Sequence, residues 1–275
     1  MKLAEIKALL RENDIRLTRS LGQSFMHDEN QVVRIADLAE ISPTDDIFEI
    51  GPGLGPLTEV LLQRAKSVLA IEVDARLVEV LKKRFTETPA LGLIHTDALA
   101  YVKSDEVDWS DWKLVSNLPF SVGSPILVEL ARPGVGPRSM TVTLQKEVAD
   151  RIAAPPGCKA YGVLTLLLKP AYELDGNFLI PADCYFPAPG VDTSCIRLTR
   201  RAKPLVSPSA FKTYVRIVKR GFSQRRKMML KLLKQDWPVD KLAAAFEAAG
   251  LDEKIRAEAL TIDQFVTLTE SLADS

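Results

Sequence analysis

Apolar positions in this chain follow one rule up to about residue 200 and another beyond it. In the first part, short apolar runs at Asp46–Ile50, Ser67–Ile71, Leu91–His95, Lys113–Ser116 and Ser139–Leu144 alternate with stretches whose apolar residues recur at helical spacing. Those stretches predict helices over Met1–Asn13, Gln31–Glu40 (capped by Asp28), the segment after Gly55, Ala75–Phe85, Ser124–Ala131 and Gln145–Arg151. Strands alternating with helices predict a parallel, doubly wound sheet. Two further strand candidates, Gly162–Leu168 and Thr193–Leu198, flank the proline-rich Ile180–Pro189 with no helix between them, so they are expected to pair antiparallel at the sheet edge. Beyond Pro204 only helical periodicity remains, at Phe211–Lys219, Arg225–Leu233, Val239–Ala249 and Ile262–Leu272. The expected architecture is α/β: a Rossmann-like sheet of seven strands with an antiparallel edge over residues 1–203, then a small all-α domain over 204–275.

The run ending at Ile50 leads into Gly51-Pro52-Gly53-Leu54-Gly55-Pro56. Glycines at alternate positions let the backbone turn sharply and approach a ligand, and free N–H groups at the following helix start favour an anionic group. Glu72 stands at the carboxyl end of the next strand, about twenty residues on, where an acid holds ribose hydroxyls. In the dinucleotide fingerprint the last small residue lets helix and strand approach closely; here that position is Pro56, which suits the first helical position instead. The pattern fits a cofactor with a ribose and a carboxylate but no phosphate, namely S-adenosylmethionine.

The carboxyl ends of the later strands carry the remaining candidates. Asp97, just past the third strand, is placed to accept from an adenine amino group, or to cap the short segment from Ala98. The fourth strand ends in Asn117-Leu118-Pro119-Phe120, where proline holds Leu118 extended and gives up its own N–H. That stiff turn presents an amide, a fixed carbonyl and an aromatic face together. Ser20 to Asp28 reads as a loop close enough in sequence to fold over the cofactor.

Composition narrows the classes. The chain has 275 residues, 47% of them hydrophobic, and no apolar run near the length of a membrane span. Lys2, Glu5 and Lys7 fall among the first apolar residues, which lack the uninterrupted apolar segment of a secretory signal, so the cytoplasm is the expected location. Cys158, Cys184 and Cys195 form no C-x-x-C pair and only His27 and His95 accompany them, so neither a disulfide framework nor a metal is expected. The 36 basic and 36 acidic residues balance overall but are segregated. From Thr193 to Gln235 there is no Asp or Glu, yet thirteen Lys or Arg fall there, among them Arg220, Arg225, Arg226 and Lys227. A block this one-sided attracts a polyanion, and nucleic acid is the expected partner.

Taken together, these segments resemble the ribosomal RNA adenine dimethyltransferases, in particular the branch that dimethylates two adjacent adenosines in a small-subunit ribosomal RNA hairpin. The resemblance runs from about Arg19 to Gln235. It is carried by Ser20-Leu21-Gly22-Gln23-Ser24-Phe25, Glu49-Ile50-Gly51-Pro52-Gly53, Ile71-Glu72-Val73-Asp74, Asn117-Leu118-Pro119-Phe120, Leu144 to Ala149 with Tyr161-Gly162, Phe186 to Asp192, and Phe222 to Lys227. Ser24 stands where that family usually has Asn or His, Met26 where Leu is usual, and Phe120 where Tyr is commoner. The resemblance implies that Ser24, Met26, Gly51, Gly53, Glu72, Asp97 and Asn117 line S-adenosylmethionine, and that Asn117, Leu118, Pro119 and Phe120 meet the target adenine. It implies further that Arg220, Arg225, Arg226 and Lys227 bind RNA of the immature small subunit. The alternatives are a ribosome-assembly factor with methylation secondary or lost, a large-subunit methyltransferase that shares the sheet, and a nicotinamide-dependent oxidoreductase, which Pro56 and the basic helical end disfavour.

Overall fold

A computed structural model describes residues 1–17, 23–104 and 107–273. The apolar spacing of the first residues folds as α1 (Leu3–Glu12), which buries Ile6 and Leu10. A two-residue strand β1 (Phe25–Met26) follows within the stretch read as a loop, whose first residues, Ser20 to Gly22, lie outside the described residues, as does Arg19. Asp28 caps α2 (Glu29–Leu38) as expected, its carboxylate accepting from the N–H groups of Asn30 and Gln31. The βα alternation then runs β2 (Asp46–Ile50), α3 (Pro56–Arg64), β3 (Ser67–Glu72), α4 (Ala75–Arg84), β4 (Leu91–His95), α5 (Ala98–Lys103), β5 (Trp112–Asn117), α6 (Gly123–Leu130), β6 (Ser139–Gln145) and α7 (Lys146–Ala153).

From here two expectations fail. Gly162–Leu168 is not a strand: Val163–Leu168 forms a short helix, α8, with Thr165, Leu166, Leu167 and Leu168 all buried. A short, wholly apolar run has no period of its own, so a buried helix and a buried strand share this pattern. The seventh strand is β7 (Tyr172–Ile180), whose burial alternates along its length. Glu173, Asp175, Gly176 and Asn177 conceal it in the sequence, because an edge strand carries polar residues on its open face. Next come β8 (Tyr185–Phe186), β9 (Thr193–Arg200) and the helices α9 (Phe211–Gly221), α10 (Met229–Leu233), α11 (Val239–Ala248) and α12 (Ile262–Leu272). The helix expected from Arg225 begins only at Met229. Phe222 to Met228 is a turn, held where the Ser223 hydroxyl donates to the Arg220 carbonyl (2.7 Å) and the Arg225 guanidinium to the Lys159 carbonyl (3.0 Å).

The main sheet has seven strands in the order β4-β3-β2-β5-β6-β9-β7, and β1 pairs with β8 in a separate two-stranded ribbon. Pairing is parallel from β4 through β6, with Ile50 opposite Ile71 and Asn117 opposite Thr143. It turns antiparallel at β9, from Ser139 opposite Thr199 to Gln145 opposite Thr193. The order reverses between β2 and β5, the place where ligands of open α/β sheets collect.

Internal contacts divide the chain into two compact units. One comprises Met1–Leu130, Val135–Ala149 and Leu174–Arg200; the other comprises Ala131–Gly134, Asp150–Glu173 and the chain from Arg201 onward. The units interleave and so differ from a single cut after residue 203. Within the second unit, Tyr214 donates to the Leu166 carbonyl (2.8 Å) and Tyr161 to the Leu260 carbonyl (2.9 Å), tying residues 150–173 to the helical tail. No helix among the described residues is long and apolar enough to cross a membrane.

Candidate functional site

The first unit contains a cavity of about 360 Å³ at the carboxyl ends of β2, β3, β4 and β5, with the β1 residues Phe25 and Met26 in its wall. Every cofactor and target residue expected from the sequence lines it: Ser24, Met26, Gly51, Gly53, Glu72, Asp97, Asn117, Leu118, Pro119 and Phe120.

The loop after β2 is shaped by what its glycines lack. Gly51 and Gly53 sit at φ +66° and +61°, where side-chain-bearing residues are strained. A Cβ on Gly51 would lie 2.9 Å from Pro119 Cγ, and one on Gly53 2.9 Å from Phe25 Cε1. The loop is therefore clasped between the Asn117–Phe120 turn and β1. The Gly51 N–H donates to the Ile71 carbonyl (2.8 Å), and Pro56 opens α3 at its first turn, as the sequence indicated.

Glu72 is 5% exposed, and its carboxylate gathers three backbone N–H groups: Gly53 at 3.2 Å, Val73 at 2.9 Å and Asp74 at 3.0 Å. Burial pushes its pKa up, and those three hydrogen bonds oppose the shift. A carboxylate offers about four acceptor positions, so one remains for a ribose hydroxyl. Asp97 caps α5, accepting from the Ala100 N–H at 2.8 Å, and also lines the cavity. The Ser24 hydroxyl donates to the Pro187 carbonyl (2.7 Å), which ties β1 to the segment after β8 and leaves only its acceptor positions for a ligand.

Asn117 ends β5. Its Oδ1 accepts from the Thr143 hydroxyl and lies 3.4 Å from the Tyr185 hydroxyl. Neither Thr143 nor Tyr185 was singled out in the sequence, since only β6 and β8 bring them to Asn117. Glu49 was quoted merely as part of the glycine motif, yet its carboxyl lines the cavity at 1% exposure and accepts from Thr58 Oγ1 at 2.6 Å. Burial, opposed by the Thr58 bond and reinforced by the Glu72 charge, raises its pKa to about 8. An acid inside a buried apolar run was the available signal.

The four basic candidates separate into two pairs within the second unit. Arg220 is held by Asp236 (Nε to Oδ2, 2.5 Å) and Gln235, and Arg216 grips the same carboxylate at 2.6 Å. Arg225 lies against the Lys159 carbonyl and Glu258. Arg226 and Lys227 are exposed, with no ion pair among the described residues, and Lys212, Lys219, Lys231 and Lys234 share that state. No group of three or more His, Cys, Asp or Glu among the described residues could hold a metal ion.

The chemistry of the lining fits a nucleoside cofactor carrying no phosphate: carboxylates for hydroxyl and amino hydrogens, an apolar wall from Ile50, Leu77 and Met26, and backbone brought close by the two glycines. Beside it stands a turn with an amide, a carbonyl and a phenyl ring for a second planar ligand.

The family model for ribosomal RNA adenine dimethylase matches residues 15–274. A ribosomal RNA small subunit methyltransferase A from Clostridium perfringens (strain SM101 / Type A) is 38% identical over 277 residues, covering 99% of this chain and 96% of the relative. The protein of the same name from Geobacillus thermodenitrificans (strain NG80-2) is 37% identical, over 97% of this chain and 94% of its own. Among solved structures, the 23S rRNA methyltransferase ErmE superposes with a TM-score of 0.68 at 26% identity, over 91% of this chain and all of its own. A dimethyladenosine transferase from Plasmodium falciparum reaches 0.76 at 22% identity over 89% and 95%, a likeness of fold.

Proposed function

Since the chain belongs to the ribosomal RNA adenine dimethylase family, whose methyl donor is S-adenosylmethionine, we propose that it dimethylates N6 of two adjacent adenosines in the 3'-terminal hairpin of 16S ribosomal RNA during small-subunit biogenesis. The observation that carries this reading is the meeting of the Asn117–Phe120 turn with the glycine loop and Glu72 in one cavity.

When bound, the cofactor supplies an electrophilic methyl group on a sulfonium; the protein's residues supply aim and electrostatics. Glu72 accepts a ribose hydroxyl and Asp97 an adenine amino hydrogen, while Met26 and Ile50 give the apolar wall. The target adenine, taken out of its stack, lies against Phe120. Its exocyclic amine is a poor nucleophile because its lone pair is delocalised into the ring. The Asn117 amide oxygen and the Leu118 carbonyl accept the amine's hydrogens and free that lone pair, so no strong base is required. In the helical region over 204–275, Arg226 and Lys227 contact RNA phosphates, whereas Arg220 and Arg225 shape the surface through their ion pairs. An immature small subunit in the cytoplasm is the setting of this proposal.

A large-subunit substrate is disfavoured, because identity to the small-subunit enzymes is 38% against 26% for ErmE. The test uses radiolabelled S-adenosylmethionine with small ribosomal subunits from cells lacking the modification, followed by nucleoside analysis. Dimethyladenosine in small-subunit RNA is the expected product. No transfer alongside tight subunit binding would favour an assembly factor instead.

A further inference from the structure

Three hydroxyls reach Asn117 or its neighbours from outside the cavity lining. Thr143 and Thr193 are fully buried and Tyr185 is 2% exposed. The Thr143 hydroxyl donates to Asn117 Oδ1. The Tyr185 hydroxyl has Thr193 Oγ1 at 2.8 Å and Asn117 Oδ1 at 3.4 Å, and the Thr143 hydroxyl is a third oxygen in its reach. Thr193 Oγ1 in turn lies 3.3 Å from the Ile180 carbonyl, to which it donates.

A phenol has one hydrogen, and an amide oxygen has two lone pairs. Thr143 already uses one of them on Asn117. With the phenol's hydrogen on Thr193, whose own hydrogen goes to Ile180, the second lone pair stays open. With that hydrogen on Asn117, both are taken and the oxygen has nothing left for a substrate. The distances favour Thr193, since 2.8 Å is the optimum for O–H···O and 3.4 Å lies beyond the normal range. Burial confines the choice to protein oxygens, of which Thr143 Oγ1, its own hydrogen spent on Asn117, is the third.

We propose that Thr193 is a positioning residue for methyl transfer, which draws the hydrogen of the Tyr185 phenol away from Asn117 and so keeps one lone pair of its oxygen open for the amine of the target base. The inference rests on the acceptor role proposed for Asn117 and adds what makes that role available. It concerns kcat alone, because neither hydroxyl lines the cavity.

The test is a suppressor experiment with small subunits as substrate. Thr193→Val keeps the side chain's shape and removes the acceptor at 2.8 Å, which releases the phenol's hydrogen toward Asn117, with Thr143 the other oxygen in reach. The expected loss is roughly 3- to 10-fold in kcat, the worth of one hydrogen bond, with KM for RNA and cofactor affinity unchanged. Adding Tyr185→Phe deletes the misdirected hydrogen and restores kcat to within about 2-fold of the parent protein. A structural role predicts the opposite, since two buried lesions in contact do not repair each other. Persistence of the loss in the double variant overturns the proposal, as does full turnover in Thr193→Val. Should Thr193→Val not fold, Tyr185→Phe alone decides: kcat at or above the parent value is expected, and a clear loss refutes the idea. Undiminished turnover in Asn117→Ala would strike the underlying catalytic assignment instead, so the two failures are distinguishable.

Discussion

Glu49 gives the most quantitative handle on this site. Its carboxyl is 1% exposed on β2, and burial, partly offset by the Thr58 hydroxyl and increased by the Glu72 charge, lifts its pKa from 4.5 to about 8. Below 4.5 both the folded and the unfolded chain hold the proton, and the buried acid is neutral in either state. As pH rises from there to about 8, the unfolded chain gives up the proton while the folded one retains it, so ionisation pulls toward unfolding. Stability present in acid is thereby lost as pH climbs through the folded value. The whole gap corresponds to about 5 kcal/mol, of which about 3 kcal/mol falls between roughly pH 5 and pH 8. Glu49→Gln copies the shape of the neutral acid and still accepts from Thr58, but it has no proton to lose. Urea unfolding of both cofactor-free proteins at about pH 5, 6.5 and 8 measures the difference directly. The variant should gain about 3 kcal/mol on the parent protein across that range, other titrations cancelling between the two. Parallel stability curves would mean that Glu49 is ionised in its pocket and would refute the argument.

Three further outcomes are expected. Gly51→Ala places a methyl 2.9 Å from the Pro119 ring at φ +66° and should cost roughly 1–2 kcal/mol of stability, together with cofactor affinity, read by urea melts and calorimetric titration. Asn117→Ala should lower kcat about 100-fold while RNA affinity stays within a few fold, and an equal collapse of binding would show that Asn117 is not a transition-state group. Replacing Arg226 and Lys227 together by Ala should weaken RNA binding and reduce the slope of log K against log salt by about 1.5 to 2, whereas Arg225→Ala should act mainly on stability through Glu258 and Lys159.

The parallel strands, the glycine loop, Glu72 and the Asn117–Phe120 turn were legible in the sequence because each depends on residues adjacent in the chain. A strand buried on both faces is a continuous apolar run, positive φ selects glycine, and proline fixes the turn. The charge block was equally visible, but not its meaning residue by residue: Asp236 and Glu258 lie beyond its end, and only folding brings them to Arg216, Arg220 and Arg225. The contrast between α8 and β7 has a similar cause. Val163–Leu168 has no period to declare itself, and Tyr172–Ile180 is a strand whose polar face opens to solvent at the sheet edge. Pairing of β1 with β8, the hydroxyls around Asn117 and the proton on Glu49 were decided by tertiary structure alone. Each depends on hydrogen bonds or desolvation supplied by residues of other elements, and a linear pattern carries no record of such neighbours.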